Sequence, residues 1–181
     1  MDNYNVVHID EKWFFITEEG TSYWVSPSEE VKYRPSASKG HIKKIMFMAA
    51  VARPRFDHYR KKYFDGKLGI WPFAEIVLAK RRSKNRDKGT PELKPVNNVT
   101  KEKVRKMFLE NIIPAIVNKF PRNHHGSTMP NVCFIQQDNA GPHINPEDKE
   151  FQEIVNGISE LQIKIDPQPA MSPDLNVLDL G

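Results

Sequence analysis

Two aspartates stand where a carboxylate is costly unless something holds it. Asp10 closes the apolar run Val6-Val7-His8-Ile9, and Asp138 follows Val132-Cys133-Phe134-Ile135 and two glutamines. An ionised carboxylate at the end of a buried strand has to be paired, hydrogen-bonded or bound to a cation. Neither aspartate has a lysine or arginine just before its strand, although Lys12 is close to Asp10. Ligands in α/β folds gather at strand ends, so the two carboxylates could converge on one cation. All-oxygen ligation favours Mg2+ or Mn2+ over zinc, because the six histidines are scattered and the single cysteine, Cys133, sits inside an apolar run. Pairs of such ions serve phosphodiester hydrolysis and transfer, one activating water or a 3′-hydroxyl and the other stabilising the leaving oxygen. Each residue also has a plain alternative. Asp10 could cap a turn, and Asp138 could form an Asx turn ahead of Asn139-Ala140-Gly141-Pro142.

The elements around these residues alternate between strands and helices. Residues 5–10 form a strand that Trp13-Phe14-Phe15-Ile16 continues. Glu18-Glu19-Gly20 then turns it into a second strand at residues 21–25, a predicted hairpin. Residues 36–40 are a polar loop, residues 44–52 an apolar central strand stopped by Pro54, and residues 70–79 another strand interrupted by Pro72. Thr100 opens a helix with Glu102 in its first turn. Val104, Met107, Phe108, Ile112 and Ile116 recur on one face, with a kink or break expected at Pro114. After a His/Gly/Ser loop come the strand leading to Asp138, a helix capped near Asn145-Pro146-Glu147 with Phe151, Ile154, Val155 and Ile158 as its buried stripe, and an alternating strand at residues 161–165. The order implies an α/β architecture with a sheet of mixed strand direction.

The 181 residues suit one domain, with 39% hydrophobic and 10% aromatic residues, too apolar for a disordered chain. Fourteen prolines argue against a simple helical bundle. No run approaches the length of a membrane span and there is no secretion signal, so a reducing intracellular compartment is the default. A formal charge of +4 permits a polyanionic partner without demanding one. Its distribution says more: Lys80, Arg81, Arg82, Lys84, Arg86 and Lys88 cluster against one acid, Asp87, in a stretch read as a loop or extended arm.

The words around the aspartates carry a family resemblance. Val7-His8-Ile9-Asp10-Glu11-Lys12-Trp13-Phe14 resembles the first-aspartate block of mariner-like transposases, and Gln136-Gln137-Asp138-Asn139-Ala140-Gly141-Pro142-His143 is similar to their second. Ser172-Pro173-Asp174-Leu175-Asn176-Val177-Leu178-Asp179 is similar to the third, in which Asp179 takes the last acidic place and Asp174 belongs to the lead-in. An aspartate in that place, with 40 residues between Asp138 and Asp179, resembles the plant-type branch. Met46-Phe47-Met48-Ala49-Ala50-Val51-Ala52-Arg53-Pro54-Arg55-Phe56-Asp57 does so too.

The resemblance implies a ribonuclease-H-like α/β fold, a mixed sheet with flanking helices spanning residues 1–181. The catalytic acids Asp10, Asp138 and Asp179 would lie on the first strand, near the end of the fourth and at the start of a late helix. It further implies two Mg2+ or Mn2+ ions held by those acids, nicking at transposon ends, and attack of the freed 3′-hydroxyl on target DNA. The implied partners are double-stranded DNA and, in the full-length form, a second copy of the chain, with a nuclear location. Residues 80–98 would be a basic insertion that contacts DNA phosphates without reading sequence. The helix-turn-helix region that recognises transposon ends is expected to be absent, and the C-terminal catalytic helix truncated.

Other residues carry weaker expectations. His143 could contact the scissile phosphate or a metal-bound water, or simply decorate a surface turn. Asn139 could orient Asp138 or suit the turn. Glu11 should point away from Asp10 if the strand alternates, which leaves it outside the triad. Trp13 and Trp24 read as packing residues, and His124-His125 as loop residues. Two readings besides the active enzyme stay open: a catalytically inactive transposase-derived remnant that binds DNA or a protein, and a different nuclease of the same fold.

Overall fold

A computed structural model describes residues 3–15, 26, 28, 44–123 and 131–180. Strand β1 (Val6–Phe15) pairs antiparallel with β2 (Lys44–Ala52) along almost its whole length, from Val7 opposite Ala52 to Phe15 opposite Lys44. Asp10 therefore lies inside β1, opposite Ala49, rather than at its end. The strand outlasts its apolar start because β2 continues to satisfy one edge of its backbone. The expected hairpin partner at 21–25, its turn, the loop at 36–40, Trp24 and His124-His125 lie outside the described residues.

The run at 70–79 divides. Strand β5 (Lys67–Pro72) pairs with β2, while β6 (Ala74–Leu78) leaves the sheet to pair with β7 (Pro91–Pro95). Proline has no N–H for a ladder, so Pro72 ends the first pairing. Buried Phe73 then roots the departing hairpin, donating its N–H to the Met46 carbonyl (2.8 Å) and accepting from the Val96 N–H (2.9 Å). Residues 91–95 look aperiodic in sequence but form a strand, with Ile76 opposite Leu93 and Leu78 opposite Pro91. The basic stretch is the tip of this hairpin.

Between β2 and β5 a smaller hairpin joins β3 (Arg55–Asp57) to β4 (Lys62–Phe64). Buried Asp57 holds its turn by accepting from the N–H groups of Tyr59 and Arg60 (2.9 and 3.0 Å) and pairing with the Arg60 guanidinium (2.8 Å). Gly66, at φ 89°, makes the next turn; a Cβ there would lie 2.5 Å from the Ala52 carbonyl oxygen.

Helix α1 (Lys101–Met107) passes through a π-helical turn at Phe108–Ile112 into α2 (Ile113–Lys119). The break expected at Pro114 takes this form because Pro114 cannot donate to the carbonyl of Glu110, and the ladder widens upstream instead. Strand β8 (Val132–Gln137), α3 (Lys149–Asn156) and β9 (Gln162–Pro167) complete the sheet, in the order β5-β2-β1-β8-β9. Pairings of β5, β2 and β1 are antiparallel, and those of β1, β8 and β9 parallel. The cap of α3 is Asp148, which accepts from the Phe151 N–H (3.3 Å) and pairs with Arg105 of α1 (2.6 Å). Asn145, the expected cap, accepts from the Glu147 N–H instead (3.1 Å). Of the stripe expected on α3, Phe151 and Val155 are buried while Ile154 is 41% exposed.

One face of the sheet is sealed. Val7, Ile9, Met48, Cys133, Ile135 and Ile163 join Phe108, Ile112, Ile116 and Phe151 of the helices in a single core. On the alternate face Asp10, Ala49, Val51, Phe134 and Gln136 are only half-buried. Among the described residues, no helix is long and apolar enough to cross a membrane.

Candidate active site

Strand β8 accompanies β1 only as far as His8, which pairs with Gln136. Beyond that point the β8-side edge of β1 is open, and Asn176 occupies it by donating its Nδ2 to the Ile9 carbonyl (3.0 Å). Asn176 is 2% exposed, and its own oxygens accept from the N–H groups of Leu178 (3.0 Å) and Asp179 (3.1 Å). One buried amide thus ties the third acidic block to the carbonyl just before Asp10. Pro173–Leu175 forms a 3-10 turn in front of it.

The three aspartates share one electrostatic field. Burial pushes the Asp10 carboxyl above its ordinary range, and the charges of Asp179, Glu11 and Asp138 add to that push against a hydrogen bond from the Glu11 backbone. Among the described residues no lysine or arginine pairs with Asp10, Asp138 or Asp179. Oxygen donors without a lysine or arginine beside them fit a hard divalent cation, although His143 lies against Asp138. The set is open, however. Among the described residues no three His, Cys, Asp or Glu side chains are gathered closely enough to hold an ion.

Asp138 is mostly exposed, and its Oδ1 accepts from the Ala140 N–H (2.9 Å) in the Asx turn read from the sequence. The same oxygen lies 2.7 Å from Nδ1 of His143. His143 is not a surface histidine: its side chain is 6% exposed and both ring nitrogens are engaged. Nδ1 lies 2.9 Å from the Asp138 carbonyl, and Nε2 lies 2.9 and 3.1 Å from the two carboxylate oxygens of Glu11. Burial alone would lower its pKa, but the Glu11 carboxylate and the Asp138 oxygens carry it up to about 9. The imidazolium therefore donates to both acids at neutral pH, bolting the loop after β8 onto β1. The Glu11 carboxylate is taken up by His143 in a bond that nothing in the local sequence announced, and its charge still bears on Asp10.

A second set of amides aligns the loops. Asn139 donates to the Gln168 carbonyl (2.7 Å), the Gln168 N–H donates to the Gln137 carbonyl (2.7 Å), and the Gln168 side chain reaches the Ser172 carbonyl. Buried Gln137 donates to the Ile144 carbonyl (2.6 Å). Asn139 thus braces the segment leading to the third block instead of touching Asp138. Sequence reasoning missed Gln168 and the role of Asn176. Gln168 follows no pattern, whereas Asn176 stood inside the third block as an amide among apolar and acidic neighbours. Cys133, fully buried, has its thiol pushed up by burial and stays an inert core residue.

The basic residues stand elsewhere. All of residues 80–90 are exposed, Arg82 pairs with Asp87 (3.2 Å) and Arg86 with Glu92. Lys80, Arg81, Lys84 and Lys88 have no ion-pair partner among the described residues.

With 19% identity, the chain aligns to a solved Mos1 transposase paired-end complex with left transposon end, at a TM-score of 0.51 over 99% of this chain and 40% of that one. A pre-cleavage Mos1 transpososome matches at 0.50, also with 19% identity, over 98% of this chain and 40% of that one. The fold is the ribonuclease-H-like fold of the Mos1 transposase. The likeness is one of fold, and the chain spans about two fifths of the length of those Mos1 chains. No protein-family model matches it, and no curated protein does. Within this ribonuclease-H-like sheet the half-buried face of β1 and the open end of β8 carry Asp10 and Asp138, and Asn176 brings up the segment bearing Asp179.

Proposed function

We propose that this chain is the catalytic core of a mariner-like DNA transposase. The observation that carries the reading is the single field shared by Asp10, Asp138 and Asp179 on a ribonuclease-H-like sheet, with no lysine or arginine pairing with them among the described residues and only His143 set against Asp138. Two Mg2+ or Mn2+ ions held by these acids would supply activation of a water or 3′-hydroxyl and stabilisation of the leaving oxygen. Asp10, on the rigid strand, fixes the centre of the set. His143 holds Asp138 from behind through the Glu11 pair, so His143 positions a carboxylate and leaves the scissile phosphate to other groups. The unpaired cations Lys80, Arg81, Lys84 and Lys88, with Arg82 and Arg86, would contact phosphates of double-stranded DNA at transposon ends and target. In the full-length form the protein would act as a homodimer in the nucleus.

The test is a nicking assay on DNA carrying the element's terminal repeats. Cleavage should require Mg2+ or Mn2+, stop with chelator, and fall to background in Asp10→Asn and Asp138→Asn. Undiminished cutting in chelator would overturn the metal assignment. The open ligand set favours a second reading, a catalytically inactive transposase-derived module. Salt-dependent DNA binding that Asp10→Asn leaves unchanged, without nicking under any metal, would establish that reading instead.

A further inference from the structure

The third acidic block inverts the usual order of burial. Among the described side chains of residues 171–180, Asn176 alone is buried, while Leu175 and Val177 beside it are each 50% exposed and Leu180 is 66% exposed. Apolar side chains ordinarily take the buried place, and an amide is costly there unless its donors and acceptors are matched. The segment therefore has little apolar packing of its own, and hydrogen bonds must hold it.

The edge of β1 explains why an amide is wanted. Parallel pairing sets Val6, Val7 and His8 opposite Phe134, Ile135 and Gln136 of β8 and stops there. Strand β8 continues with β9 instead, as far as Gln137 opposite Pro167. The carbonyl of Ile9, a buried residue, is left on that edge without a strand beside it, and a buried carbonyl needs a donor. Nδ2 of Asn176 supplies one at 3.0 Å, and its Oδ1 accepts from the Leu178 N–H (3.0 Å). The Asn176 carbonyl accepts from the N–H of Asp179 itself (3.1 Å). One residue thus stands in for a missing rung of the ladder and closes the turn that carries the acid. At the start of the block the Gln168 side chain reaches the Ser172 carbonyl, but that bond ties the block to the segment after β9 and not to β1. Asp179 is itself exposed, yet of the carboxylates acting on Asp10 its charge bears most, ahead of Glu11 and Asp138.

We propose that Asn176 is a positioning residue for the carboxylate site, its amide fixing the segment that bears Asp179 to the backbone of β1 beside Asp10. On the metal-dependent reading above, on which this rests, Asn176 touches neither ion nor substrate and decides only where Asp179 stands. The test is titration of the 15N-labelled chain with Mn2+, whose paramagnetism broadens the amides close to it. In the wild type the amides of Asp10, Asp138 and Asp179 should broaden saturably. In Asn176→Ala the Asp179 amide should lose that broadening while Asp10 and Asp138 keep theirs. Asn176→Asp keeps the size of the side chain and the acceptor for Leu178, but at neutral pH it has no hydrogen to give the Ile9 carbonyl. It should show the same selective loss, and serves if the alanine variant does not fold. Val177→Ala, in the same segment with both bonds of Asn176 in place, should respond as the wild type does. In the nicking assay Asn176→Ala should lower kcat about a hundredfold and leave the KM for DNA unchanged. Broadening at Asp179 that either Asn176 variant retains, that disappears equally at all three acids, or that Val177→Ala also loses would overturn the assignment and leave the metal reading standing. No broadening in the wild type would overturn both.

Discussion

Along β1, neighbouring residues live under opposite rules. The side chain of Ile9 is 1% exposed and belongs to the apolar core, while Asp10, one residue on, turns to a half-buried face where burial and three acids oppose its charge. The same strands build both faces, and the period of two assigns them. The sealed face holds the fold together. The open face keeps groups that the fold alone would not choose, at a position stiff enough to aim them.

The contrast has a direct measure. Ile9→Ala should lower the free energy of unfolding by about 4 kcal/mol, because a closely packed site cannot collapse around the lost atoms. Val51→Ala, on the opposite face of the neighbouring strand, should cost about 1 kcal/mol. Urea midpoints of the two variants give the comparison, and equal losses would show that the faces do not differ as described.

His143 lies between the two regimes, a charged group sealed inside. His143→Ala leaves Glu11 without its cation and should cost about 2 kcal/mol. The pH dependence separates this bond from simple packing. With its folded pKa raised to about 9 from an ordinary 6.5, the imidazolium contributes stability in full below pH 6.5, and that contribution disappears as pH rises through 9. The decline of stability over that window should be present in the wild type and absent in His143→Ala. In Glu11→Gln it should shift to lower pH, since the group that chiefly raises the pKa is gone.

What was legible in the sequence follows the range of the interactions. The apolar run at 44–52, the run after Asn131 and the alternation at 161–165 were readable as strands, because each carries its own pattern of burial. The mixed α/β sheet followed from their order, and its ribonuclease-H-like identity from the block resemblance. Residues 91–95 were not readable as a strand, since their pairing depends on an apolar row on β6 rather than on any alternation of their own. At the candidate site, Asp10 and Asp138 announced themselves as carboxylates ending apolar runs. The bond between Glu11 and His143 spans 132 positions and that between Asn176 and Ile9 spans 167, so no local window contains either. Pro114 predicted a disturbance but not its form, because a π turn and a kink both answer the same missing N–H.

The smallest effect separates function from structure most sharply. A carboxyl whose pKa is raised by burial and like charges stabilises the folded chain only when protonated. That contribution is present at low pH and lost as pH rises through the raised value. At neutral pH Asp10 therefore opposes folding, and Asp10→Asn, which keeps the shape and drops the charge, should raise the urea midpoint slightly. Mg2+ or Mn2+ should raise the wild-type midpoint, since an ion that binds the folded state stabilises it by mass action, and should do less for the variant. A turn-capping aspartate behaves the other way. Its carboxylate accepts hydrogen bonds that the amide replaces poorly, so Asp10→Asn would lower the midpoint and metal would change neither protein. The sign of that one shift decides whether Asp10 is kept for the fold or in spite of it.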